Sequence, residues 1–248
     1  MATFSSYQNV LPNPSNGIAY DGSSASGNAG YSTGPGYASV QVTSQFQTSM
    51  DKTNSGILVA RSKAAHSFDV EIKYNPMTEE EFMPVYSFLL EKEGMLKPFF
   101  VPLPQYDNPQ DSTLAGQNPQ ITFTVATAAS AGATQVTVAG NNSYASNNTY
   151  GQLRPGDIIT FSDSSDSNHL KAYKIVRVET DTDYLGSAPT SAQLRLTLSP
   201  GLRKDVSTSA TLVYKNPKIK VISKKDAIQY SLDTNNLYSF SLSLEEVQ

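Results

Sequence analysis

The 248 residues carry a net charge of −4, no cysteine, and 38% hydrophobic against 16% charged residues. That balance excludes disulfides and thiolate chemistry, and it argues against nonspecific nucleic-acid binding, which needs clustered Lys and Arg to displace counterions from phosphate. No window approaches the ~20 apolar residues of a bilayer span, and the start MATFSSYQNV lacks the character of a signal peptide, so synthesis and folding in a cytoplasm are expected.

Residues 1–37 repeat Gly, Ser, Asn and Tyr without a period of two or 3.6 and cannot form a core alone. They are expected to be an extended N-terminal arm, either a flexible tail or one whose Tyr7, Tyr20, Tyr31 and Tyr37 dock on a neighbouring subunit. From Ala38, Val40, Val42 and Phe46 alternate with polar residues and predict a half-buried strand. Met50 to Ala65 predicts a long polar loop or hairpin. A second strand is clearer, with Phe68, Val70, Ile72 and Tyr74 on one face and Ser67, Asp69, Glu71 and Lys73 on the other, ended by Asn75-Pro76.

Met77 to Pro104 contains the one stretch that predicts a full helix. Thr78 and Glu81 have capping-box spacing, Met77 and Phe82 the spacing of a hydrophobic staple. Phe82, Val85, Tyr86, Leu89 and Leu90 form an apolar stripe that requires a sheet beneath it. Pro84 predicts a kink or a late start. Phe99, Phe100 and Val101 lie between Pro98 and Pro102, which predicts an edge or barrel-rim strand.

Gln105 to Pro119 loses periodicity and predicts a linker. Short alternating runs follow at Ile121–Val125, Val136–Val138, Ile158–Phe161, Tyr173–Val178, Leu194–Leu198 and Thr211–Tyr214, the spacing of a small barrel or sandwich. Lys218–Ile222 and Ala227–Leu232 predict further strands, and Tyr238, Phe240, Leu242 and Leu244 alternate with Ser239, Ser241, Ser243 and Glu245. A terminal strand needs neighbours to offset its ordering cost, and the simplest is Phe68–Tyr74. The expected organisation is therefore an arm at 1–37, a main β-domain from 38–117 with 217–248, and an inserted β-domain at 118–216.

Catalytic chemistry is hard to assemble, and no enzyme activity, cofactor or metal is expected. The two histidines, His66 and His169, are far apart, and no nucleophile elbow, phosphate-cradling loop or HExxH pattern occurs. Asp163, Asp166 and Asn168, or Asp181 and Asp183, offer hard oxygens, but without the spacing of a calcium loop they read as hairpin tips. Glu79, Glu80 and Glu81 suit the positive end of a helix. Lys215, Lys218, Lys220, Lys224 and Lys225 read as a solvated strand edge.

An alternating aromatic strand, an Asn-Pro break, MTEEEFMPVYSFLLEKEG and then KPFFVPLP together resemble the tail proteins of long-tailed bacteriophages, over roughly residues 40–248. LRPGDIITFS, HLKAYKIVRVETD and LTLSPGLR look like an inserted β-domain, and YSFSLSLEEVQ like the closing strand of the main barrel. The resemblance implies a mainly β fold: a tail-tube-like β-sandwich or split barrel with one flanking helix, plus an inserted small β-barrel or β-sandwich domain. It further implies a non-enzymatic virion component, forming commonly hexameric rings at the distal tail or baseplate hub. Its partners would be its own copies and other tail or baseplate proteins, with DNA only as cargo passing through the channel. Packing is expected at Phe68, Val70, Ile72, Tyr74, Phe82, Tyr86, Leu89, Phe99, Phe100, Phe240 and Leu242. The alternative is a carbohydrate- or receptor-binding module of a tail fibre or surface protein, with Tyr144, Tyr150 and Tyr184 as its platform.

Overall fold

The structure, a computed structural model, describes residues 9–13, 17–18, 24–25, 35–140, 150–166, 169–208 and 210–247, with the backbone alone at 17–18, 24–25 and 62–65. In chain order the elements are β1 (Gly17–Ile18), β2 (Ser24–Ala25), β3 (Tyr37–Lys52), β4 (Leu58–Tyr74), α1 (Glu79–Glu91), β5 (Phe99–Pro102), a 3-10 turn (Pro104–Tyr106), α2 (Ser112–Ala115), β6 (Phe123–Val125), β7 (Gln135–Gly140), β8 (Ile158–Ser162), β9 (Ala172–Glu179), β10 (Gln193–Ser199), β11 (Thr211–Val213), β12 (Lys218–Ser223), β13 (Tyr230–Leu232) and β14 (Tyr238–Glu246). The fold is mainly β, with one helix longer than a single turn among the described residues. Two compact units divide the chain, the described residues of Met1–Val101 with Lys220–Val247 in one and Pro102–Ile219 in the other.

The first unit is a sheet in the order β3-β4-β14-β12-β5, with β13 also paired to β14. Period-two alternation decides its faces. Leu242 lies opposite Ile72 and Leu244 opposite Val70, so β4 and β14 put their apolar residues on one side. All four are buried there with Phe68 and Phe240. Lys73 and Ser241 pair on the other side, both exposed.

Helix α1 covers the apolar side. The Glu81 carboxylate accepts from the Thr78 N–H at 3.0 Å and from its hydroxyl at 3.2 Å, closing the N-terminus, and both staple residues, Met77 and Phe82, are buried. The helix neither starts late nor stops at Pro84. A proline there costs about 3 kcal/mol, but Val85, Phe88 and Leu89 beyond it are buried and contribute roughly 1.5–3 kcal/mol each. The stripe is also rotated from the expected one: Phe88 turns inward, while Tyr86 is half-buried and Leu90 is 52% exposed. Phe82 is the hub of the interface. Its ring stacks on Tyr238 at 4.6 Å and meets Tyr230 at 4.9 Å, Tyr86 at 5.5 Å and Phe240 at 5.8 Å.

At the far edge, β5 takes the end position its prolines require. Residues 9–13 run beside it: Val10 pairs in parallel with Phe100, the Leu11 N–H donates to the Phe100 carbonyl at 2.8 Å, and Leu11 is fully buried. Tyr37 belongs to β3, where it is half-buried and packs edge-on against Tyr74 of its own sheet at 5.1 Å. Tyr7, Tyr20 and Tyr31 lie outside the described residues. β12 is an interior strand of the sheet, which corrects the reading of Lys218 and Lys220 as an edge. Lys224 pairs with Asp69 at 2.6 Å, and Lys215 donates to the Ala115 carbonyl at 2.6 Å.

The second unit is a closed antiparallel barrel in the order β10-β7-β6-β11-β8-β9. Each strand supplies alternate residues to one core, including Phe123, Val138, Ile159, Tyr173, Leu196 and Leu212. Gln105 to Pro119 is not a bare linker. Leu114 of α2 is fully buried in the barrel core, and the buried Asp111 carboxylate caps α2 at the N–H groups of Thr113 (2.9 Å) and Leu114 (3.2 Å) while binding the Arg154 guanidinium at 2.9 Å. Gly151 has φ 76, and a Cβ there would stand 2.4 Å from the Leu114 nitrogen, so only glycine lets this loop close on α2.

Replacing Phe82 by alanine should cost about 3–5 kcal/mol in urea unfolding, against less than ~1 kcal/mol for the exposed neighbour Met83→Ala. Equal effects would contradict the assignment of the helix faces.

Candidate functional site

Among the described residues, the outer part of the β3–β4 hairpin stands without a further strand or helix against it. β14 accompanies β4 only as far as the pair Asp69 with Glu245. The next β4 amide, that of Phe68, donates instead to the Glu246 carboxylate at 3.1 Å, which ends the ladder. β3 and β4 continue alone to a turn in which Gly56 has φ 82. Every residue from 43 to 61 is exposed. A two-stranded ribbon of this kind is marginal in water by itself.

The ribbon has two unlike faces. Phe46, Met50 and Lys52 fall at even spacing along β3 and so share one face, opposite His66, Ala60 and Leu58 of β4, whose register shifts between Phe46 and Thr48. The same register sets Val42 opposite Val70 and Val40 opposite Ile72. The apolar face of the arm therefore continues the face that α1 covers in the body of the sheet. Asp51, Val59 and Arg61 occupy the reverse. Phe46, Met50 and Leu58 are 65%, 66% and 60% exposed, which corrects the expectation that Phe46 sits half-buried. Of the two forms expected for Met50 to Ala65, loop or hairpin, the hairpin is the one formed, an extended ladder with a short turn.

A second apolar surface lies on the outer side of α1. Met83 and Leu90 are exposed there with Tyr86 half-buried between them, and Met95 and Leu96 are exposed just beyond. Glu79 and Glu80 stand exposed at its N-terminal end, as the helix dipole favours.

The residues singled out for chemistry do not converge. His66 is buried in the sheet unit between the rings of Phe46 and Phe68, 4.7 Å from each. His169 is buried in the barrel unit with Nε2 2.8 Å from the Tyr173 hydroxyl, and burial holds its pKa below the ordinary value. Asp163 accepts from the hydroxyl and N–H of Ser165 at 2.7 and 2.9 Å and from the hydroxyl and N–H of Ser207, both at 2.8 Å. Those bonds, the Ser165 hydroxyl foremost, hold its carboxyl well below the usual range. Asp166 pairs with Lys204 at 2.9 Å, and Asn168 lies outside the described residues. Asp163, Ser165, Asp166, Lys204 and Ser207 border an open recess of about 630 Å³. Asp181 and Asp183 sit in a tip closed by the Asp183 N–H donating to the Thr180 hydroxyl at 3.1 Å. Among the described residues no three His, Asp or Glu groups cluster as metal ligands, and no helix is long and apolar enough to cross a membrane. Of the proposed aromatic platform, Tyr150 and Tyr184 are exposed and Tyr144 lies outside the described residues.

No protein-family model matches the chain, and no curated protein matches its sequence.

Because the folded-state pKa of Asp163 is depressed, its contribution to stability is present above the unfolded carboxyl value of ~4 and is lost as pH falls through the folded value. Asp163→Asn should therefore lower the barrel's melting temperature at pH 7, with the gap to the wild type narrowing in acid. A gap that is constant with pH would contradict the charged, four-donor arrangement.

Proposed function

We propose that the chain is a non-enzymatic structural subunit of a bacteriophage tail, forming a ring around the DNA channel at the distal tail or baseplate hub. The observation that carries this reading is the hairpin arm. Beyond His66 its apolar side, with Phe46, Met50 and Leu58, is exposed among the described residues, and such a surface in a folded protein calls for another molecule.

The remaining support comes from the resemblance and from the architecture. The resemblance implies a β-sandwich or split barrel with one flanking helix and an inserted small β-domain; the mainly β fold, a sheet covered by one helix and a separate closed barrel, is consistent with that in its coarse form. In this reading the sheet unit builds the ring, and the barrel decorates it or meets the next layer of the tail. The weakly acidic balance lets DNA pass without being held. Copies of the same chain are the first partners, commonly six to a ring, and other tail or baseplate proteins the next. The place of action is the virion, reached by assembly in the host cytoplasm.

Electron-microscope class averages of the purified protein at high concentration should contain closed rings. Averages containing only single copies would contradict a ring-forming subunit.

A further inference from the structure

Resting on the ring-subunit reading, we infer that the hairpin arm of one copy lies along the outer face of α1 in the next copy, with the Lys52 end over Glu79 and Glu80, Met50 over Met83, and Phe46 toward Leu90. Four observations within the sheet unit carry this.

The first is continuity. The arm's apolar face extends the sheet face that α1 covers in each copy, so a helix is the kind of element that face already packs against. The second is length. Phe46 to Lys52 spans about 20 Å at the rise of a strand, and the thirteen residues of α1 span about 20 Å at the rise of a helix. Spacing agrees as well: Lys52 lies roughly 7 Å from Met50 along the strand, and Glu80 roughly 5 Å from Met83 along the helix.

The third is charge. Lys52 is the cation on the apolar face of the arm, and no ion pair engages its side chain among the described residues. Glu79 and Glu80 are the exposed acids at the N-terminal end of the helix, whereas Glu81 is occupied in the cap, and Glu91 and Glu93 pair with Lys92 and Lys97. The fourth is that the two surfaces are different. A contact between unlike patches of one chain runs head to tail and closes into a ring where its rotation permits, while a patch meeting itself stops at a dimer.

Sedimentation velocity on three full-length variants tests the contact, each first matched to the wild type in melting temperature and circular dichroism. Arm variant Met50→Glu/Lys52→Glu and helix variant Glu79→Lys/Glu80→Lys should each weaken self-association on the order of 100-fold, since like charges brought together cost several kcal/mol. The fourfold variant should regain assembly. An equal mixture of arm and helix variants should also assemble, as alternating copies, because the intact arm fits the intact helix and the reversed arm fits the reversed helix. Both reversed variants assembling as the wild type does would overturn this docking and leave the ring reading standing. A wild type that stays monomeric at every concentration would remove the ring reading, and the docking with it.

Discussion

Everything in the sheet unit depends on one ladder, the five pairs joining Asp69–Lys73 of β4 to Ser241–Glu245 of β14. It brings together segments about 170 residues apart, so it forms only after a large loss of chain freedom. What offsets that loss is the face it creates. Val70, Ile72, Leu242 and Leu244 bury one another across the two strands, and Phe82 brings the helix down onto the aromatic residues that follow on β14. Without β14, α1 would lose the rings of Tyr238 and Phe240, and β4 would have only β3 beside it.

The same ladder decides where the chain becomes available to others. Its last rung is Asp69 with Glu245, and Glu246 turns its carboxylate to the Phe68 amide, so β14 cannot follow β4 further. Beyond that point the β3–β4 ribbon keeps its two-faced pattern but, among the described residues, has no third strand and no helix over it. A core face left uncovered is a specific kind of surface, because its hydrophobic side and its length are inherited from the sheet it continues. Among the described residues the barrel unit has no comparable feature: its strands close on themselves, and closure removes open edges.

Much of this was legible in the residues. The alternation in Phe68–Tyr74 and Tyr238–Glu246 marked two half-buried strands, and the Thr78–Glu81 spacing located the helix start. The barrel strands were visible as short alternating runs. Less legible was the arm, because Phe46 and Met50 lie among polar residues that match a loop as well as a solvated strand. Alternation identifies a face, but not whether anything covers it. The inward turn of Phe88 was missed because Leu90 fits the same helical spacing, and only the placement of the aromatic residues of β13 and β14 selects between them. Asp111 was hidden for another reason. A buried carboxylate that caps a one-turn helix and holds a distant arginine leaves no periodic trace, so its surroundings look like a linker.

The absence of cysteine makes the central pairing open to a direct test. Lys73 and Ser241 are opposite each other on the exposed side of β4 and β14, where opposed residues lie about 4.5–5.5 Å apart, within the reach of a disulfide. Mild oxidation of folded Lys73→Cys/Ser241→Cys protein, followed by peptide mapping without reduction, should recover the two positions joined within a single chain. Thiols that stay free in folded protein, or that join only between chains, would contradict a single sheet built from both ends of the sequence.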